Sequence, residues 1–195
     1  MQHKHTPTTS PGSQDSNGIA RRNLLKGAMG LGAAAMWPGC ASLETSSRSD
    51  RVQRENQKPG TRDWMLKNTR IDLATKYRCP WIEGFCSDTS LRAGETIRFF
   101  VSANPASAFT IDLYRMGYYG GIGGRHLLTV GPFHGTTQAD PPIGPKRVRD
   151  CQWEPCASLK IPRDWLSGVY LGKLTAEREG LQSYVIFILR DVRSL

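Results

Sequence analysis

The chain reads as an all-β protein, an immunoglobulin-like β-sandwich of about seven strands. Three observations point there. Apolar and polar residues alternate in several runs: Ile97, Phe99 and Val101 fall on one side, Thr96, Arg98 and Ser102 on the other. Phe109, Ile111 and Leu113 repeat the pattern against Thr110 and Asp112. Period two belongs to half-buried strands. The 20 glycines and 12 prolines among 195 residues favour short elements joined by turns over helices. Turn signals separate the runs, there is no repeat of fixed period, and several short strands spaced in this way suit a sandwich.

Residues 1–18 are polar and lack periodicity. Arg21 and Arg22, followed by Leu24, Leu25 and Lys26, then precede a weakly apolar run, Gly27 to Trp37. This arrangement resembles a twin-arginine export signal. The run of about 11 residues is too short for a permanent membrane span. A buried helix is a poor reading too, because Gly27, Gly30 and Gly32 would each cost up to about 1 kcal/mol relative to alanine. The expectation is an exported protein, periplasmic or at the cell surface. Ala33-Ala34-Ala35 offers one processing site. Gly39-Cys40-Ala41-Ser42 offers a lipoprotein site with Cys40 as the modified residue, although Trp37 stands where leucine is usual. Contact with a membrane is expected only through the signal or such an anchor. The division that follows is a signal region at 1–39, a flexible linker at 40–60, a sandwich at 61–191 and a short tail at 192–195.

Residues 59–77 read as a lead-in that packs Trp64 on the sandwich. Strands are expected near 82–88, 96–102, 109–116, 125–131, 157–161, 168–177 and 182–190. Turns fall at Ala93-Gly94-Glu95 and at Asn104 to Ser107. Residues 135–150 are polar and hold Pro141, Pro142 and Pro145, which a central strand does not tolerate. Five glycines in eight residues, Gly117 to Gly124, make a sharp connection between two strands. Arg125-His126 follows where a phosphate loop needs Lys-Ser/Thr, and the dinucleotide glycine spacing fails. The last strand has two apolar faces: Tyr184, Ile186 and Ile188 on one, Val185, Phe187 and Leu189 on the other. A strand with one wet face should alternate apolar and polar. One set should fill the core; the other should meet a partner or drive self-association.

Charge excludes little. The 26 lysines and arginines against 17 acidic residues give +9. They are scattered, with Lys146-Arg147-Val148-Arg149 the densest cluster, so a basic surface is expected rather than a nucleic-acid site. After Cys40 the cysteines are Cys79, Cys86, Cys151 and Cys156. An even number in an exported domain suggests disulfides, with three connectivities open. Free thiols are the rival, and metal a weaker one, because the gaps are not the paired short spacings of zinc sites. Bridges between the two distant pairs would stabilise most, by about 4 kcal/mol. No catalytic residue is assigned: there is no nucleophile elbow, and His126 and His134 do not form a metal pair.

The run Tyr114-Arg-Met-Gly-Tyr-Tyr-Gly-Gly-Ile-Gly-Gly-Arg125 resembles the C-terminal region of the N,N-dimethylformamidase large (beta) subunit family. Trp81-Ile-Glu-Gly-Phe85, Gly131-Pro-Phe133, Cys151-Gln-Trp153, Ile161 to Tyr170 and Gln182-Ser-Tyr184 extend the resemblance, in order, over about 60–191. The resemblance implies an amide hydrolase acting on linear amides, with a mononuclear iron held by tyrosines and a glutamate in a downstream catalytic domain. No residue of this chain matches those ligand motifs, so no cofactor is assigned to it. The expectation is an accessory sandwich, cut off before the catalytic domain, inactive alone and docking on that domain. The alternative is an independent secreted or lipid-anchored module that binds a surface polymer or carbohydrate through Trp81, Trp153, Trp165, Tyr118 and Tyr119.

Overall fold

The alternating runs become eight strands in two sheets. The computed structural model describes residues 48–75 and 78–191. The strands are β1 (Glu83–Cys86), β2 (Ser90–Arg92), β3 (Thr96–Ser102), β4 (Ser107–Met116), β5 (Gly124–Gly135), β6 (Ala157–Lys160), β7 (Gly168–Ala176) and β8 (Gln182–Arg190). One sheet has the order β1-β3-β6; the other runs β2-β8-β7-β4-β5. All neighbours are antiparallel except β2, which lies parallel to β8 with Leu91 beside Leu189. Each of the seven expected strands has its counterpart. The extra one, β2, has three residues and one buried apolar side chain, too little for an alternation to show.

The inner faces meet in one core. Ile97, Phe99 and Val101 of β3 face a cluster that includes Phe109, Ile111 and Leu113 of β4, Leu174 of β7 and Val185, Phe187 and Leu189 of β8. Burying side chains of this size contributes about 1.5–3 kcal/mol each. The close approach of β7 and β8 depends on Gly172, where a Cβ would lie 2.7 Å from Val185 Cγ2.

One expectation fails. The stretch 40–60 is not linker throughout, because Arg48–Asn56 forms a helix, α1. Its Asp50 lies in the first turn and Arg54 in the last, which suits the helix dipole. It carries no broad apolar stripe; polar contacts with the β4–β5 connection hold it instead. Asn56 Oδ1 accepts from the Tyr118 amide at 3.1 Å, and Glu55 is buried against Tyr119 and Arg125. No described helix is long and apolar enough to cross a membrane.

Candidate functional site

Strand β8 sorts its two apolar sets as its sequence pattern requires. Val185, Phe187 and Leu189 point into the core. Ile186 and Ile188 stay 57% and 44% exposed on the outer face, and Val169, beside Ile188 on β7, is 42% exposed. The other end of that face is covered by the lead-in. Tyr184 donates its hydroxyl to the Trp64 carbonyl, and Lys173 Nζ donates to the Asp63 carbonyl at 2.5 Å. The Lys67 amide donates to Gln182 Oε1 at 2.9 Å. Trp64 in turn donates Nε1 to the Ile122 carbonyl at 3.1 Å and packs flat against Gly124, where a Cβ would lie 2.6 Å from Trp64 Cδ1. The lead-in thus stops short of Val169, Ile186 and Ile188. They form an apolar strip with water on it.

The second feature sits at the glycine connection between β4 and β5. Gly120, Gly121 and Gly123 adopt positive φ, and Tyr119 does so at 39°. The sharp turn drives the Tyr119 ring inward. Its hydroxyl donates to Glu55 Oε1 at 3.0 Å and accepts from Arg115 Nη1 at 3.0 Å. Arg125 Nε donates to the same Glu55 oxygen at 2.7 Å, and Lys58 Nζ lies 2.8 Å from the other. Burial works against the Glu55 carboxylate, but the bonds from Lys58, Arg125 and Tyr119 outweigh it and hold its pKa below 4.5. Burial pushes the Tyr119 phenol above its ordinary value, despite the opposing pull of Arg115. Arg115 is 5% exposed and also donates to the Ser167 carbonyl at 3.0 Å. Three stretches far apart in sequence, residues 55–58, 115–125 and 167, are joined by this one network.

Residues 110–194 match the family model described as N,N-dimethylformamidase beta subunit-like, C-terminal. The matched span runs from β4 through β8 and contains the glycine connection, Arg115, Tyr119, Arg125 and the apolar strip. Glu55 and the lead-in lie outside it. No curated protein matches the chain.

The resemblance to dimethylformamidases implies iron, and Tyr119 with Glu55 has the donor types for it. The surroundings are wrong for a cation. Two guanidiniums and an ammonium already bind these oxygens, and the raised phenol pKa opposes the phenolate a metal needs. Tyr118 points elsewhere and is 70% exposed. Among the described residues no three of His, Cys, Asp or Glu are grouped to hold a metal.

The remaining candidates are dispersed. Cys79, Cys86, Cys151 and Cys156 are unpaired in the structure. For one pairing the geometry is decisive. Cys86 faces Phe99 across the ladder and Phe99 faces Ala157, so β3 lies between Cys86 and Cys156. Two strand spacings, about 9.5 Å, exceed the reach of a disulfide. The five aromatics do not share an exposed face. Trp153 and Phe85 line a cleft outside the smaller sheet, where Arg78 bridges Glu83 and Asp140. Trp165 stacks on Tyr170 with ring centres 5.1 Å apart, Trp81 lies under Arg70, and Tyr119 is buried. Arg21, Arg22 and Cys40 lie outside the described residues. Sequence reasoning missed Glu55 because it belongs to a helix without apolar periodicity. The available signal was local, a Glu55 to Lys58 pair at helical spacing.

Proposed function

We propose that this chain supplies the accessory β-sandwich of an exported N,N-dimethylformamidase-like amide hydrolase, and that it docks on the catalytic domain through β7 and β8. The observation that carries this reading is the strip of Val169, Ile186 and Ile188. It is apolar, it lies inside the family-matched span, and the lead-in that covers the neighbouring Lys173 and Tyr184 leaves it open. Exposed apolar patches of this kind mark protein interfaces. The iron and the residues that cleave the amide belong, on this reading, to the catalytic domain, and the sandwich alone does not hydrolyse formamides. Export follows from the Arg21-Arg22 signal. The test is to mix the full chain with a separately produced dimethylformamidase-like catalytic domain and follow the mixture by sizing chromatography with light scattering. Co-elution at the summed mass is expected. Independent elution, or hydrolysis of a formamide by the isolated chain after iron loading, would overturn the proposal.

A further inference from the structure

The cleft outside the smaller sheet has a volume of about 550 Å³, within the range of about 300–1,000 Å³ usual for small-molecule sites. Glu83 and Phe85, two residues apart on β1, point to the same side of the sheet and line it together with Arg78, Asp140, Arg149 and Trp153. We propose that this cleft binds a neutral sugar, a pyranose ring with mostly equatorial hydroxyls.

Three observations converge. The first is how the cleft is built. Residues 136–156 link β5 to β6 with no more regular structure than one 3-10 turn, and ordered connections longer than about 12–15 residues are uncommon and usually carry function. This one is tied down on both sides of the cleft. The Gln138 amide donates to Ser102 Oγ at 3.0 Å, Gln138 Nε2 to the Glu154 carbonyl at 2.8 Å, and Trp153 Nε1 to the Ala139 carbonyl at 2.8 Å. The second is the polar lining. Arg78 donates Nε to Glu83 at 3.0 Å and Nη1 to Asp140 at 2.6 Å, so both carboxylates are held in place before any ligand arrives. Arg149 donates to the Pro141 carbonyl at 2.7 Å. Two guanidiniums and two carboxylates balance, which favours a neutral ligand over an ion. Carboxylate oxygens accept more than one hydrogen bond and a guanidinium carries five N–H donors. A hydroxyl both donates and accepts, so a polyol matches both kinds of group. The third is the aromatic wall. Phe85 and Trp153 have ring centres 5.5 Å apart, and Phe85 stacks on Phe100 at 4.8 Å. A pyranose with equatorial hydroxyls presents C–H bonds on its ring faces, and these pack on such a wall while the hydroxyls reach the charged groups. Of the aromatics singled out in the sequence, Trp153 alone takes part. The cleft lies on the smaller sheet and the β7–β8 strip on the larger, so the proposal does not depend on docking.

The test titrates the full chain with cellotetraose and chitotetraose by isothermal titration calorimetry, with N-acetyltyrosinamide as a probe for a protein side chain. Saturable binding of at least one tetrasaccharide is expected, tighter than that of N-acetyltyrosinamide. Phe85→Leu keeps the site apolar but removes the ring, and should raise Kd about fivefold or more. Asp140 is 65% exposed, so Asp140→Ala should leave the fold intact; it should raise Kd by a similar factor, about fivefold. Tyr118→Ala, at an exposed ring far along the chain, should bind as the wild type does. A Kd above about 10 mM for both tetrasaccharides would overturn the proposal. So would unchanged affinity in Asp140→Ala, or tighter binding of N-acetyltyrosinamide than of either sugar.

Discussion

Replacing Glu55 by glutamine tests whether α1 is bound to the sandwich by charge. The substitution keeps the shape and removes the charge. Glu55 is 4% exposed and accepts from Tyr119 and Arg125 while paired with Lys58. Hydrogen bonds to charged groups contribute about 1.5–3 kcal/mol, neutral ones about 1. Breaking a fully buried ion pair costs about 3–5 kcal/mol. Arg125 keeps 24% of its side-chain exposure and Lys58 53%, so water softens the loss. A destabilisation of about 2 kcal/mol remains, which lowers Tm by roughly 4–8 °C in a chain of this size. Thermal unfolding followed by circular dichroism reads it. Exchange of the Tyr118 amide, which donates to Asn56, reports whether α1 detaches first. Because the folded pKa of Glu55 lies below its ordinary 4.5, its contribution is complete above that value and is lost as pH falls through the folded pKa. The wild type and the variant should therefore converge in stability in acid. A variant within about 1 °C of wild type at neutral pH would refute the role given to Glu55.

Further outcomes are expected elsewhere. Burial pushes the Cys86 thiol up to about 12 and also raises Cys156, so both should resist iodoacetamide in the native protein and react after denaturation; mass spectrometry of labelled peptides checks it, and rapid native labelling of Cys86 would contradict it. Gly172→Ala forces a methyl against Val185 and Ile111 and should destabilise by about 1–3 kcal/mol in urea unfolding, whereas a neutral effect would mean that β7 and β8 are not packed so closely. Replacing Arg21 and Arg22 by lysine should abolish export in a fractionation assay; unchanged export would remove the twin-arginine reading.

Much of the fold was legible in the sequence because strands bury alternate residues. Phe99 and Ile111 could be assigned to the core from period two alone, and the doubled apolar pattern of 184–189 pointed to an open outer face. What escaped detection carries little periodicity. β2 is defined by pairing with β8, a contact made by residues about 98 apart, which local pattern cannot register. α1 is held by Glu55 and Asn56, two polar residues whose partners lie on a loop more than 60 residues away. The even number of cysteines likewise says nothing of the strand that separates Cys86 from Cys156. The Arg115–Tyr119–Glu55 network depends on how three distant stretches converge, which their order in the chain does not reveal.

Docking through β7 and β8 is tested most directly by measuring affinity for the catalytic domain with the strip made polar. Ile186 and Ile188 are more than 40% exposed, so lysine at both positions should leave the fold intact. Leu73, 74% exposed at the start of a single 3-10 turn in the lead-in, is the control position. Isothermal titration calorimetry should show affinity reduced by about a hundredfold or more in Ile186→Lys/Ile188→Lys, with Leu73→Lys unchanged. Equal affinity in the double variant and the wild type would contradict the assignment of this face.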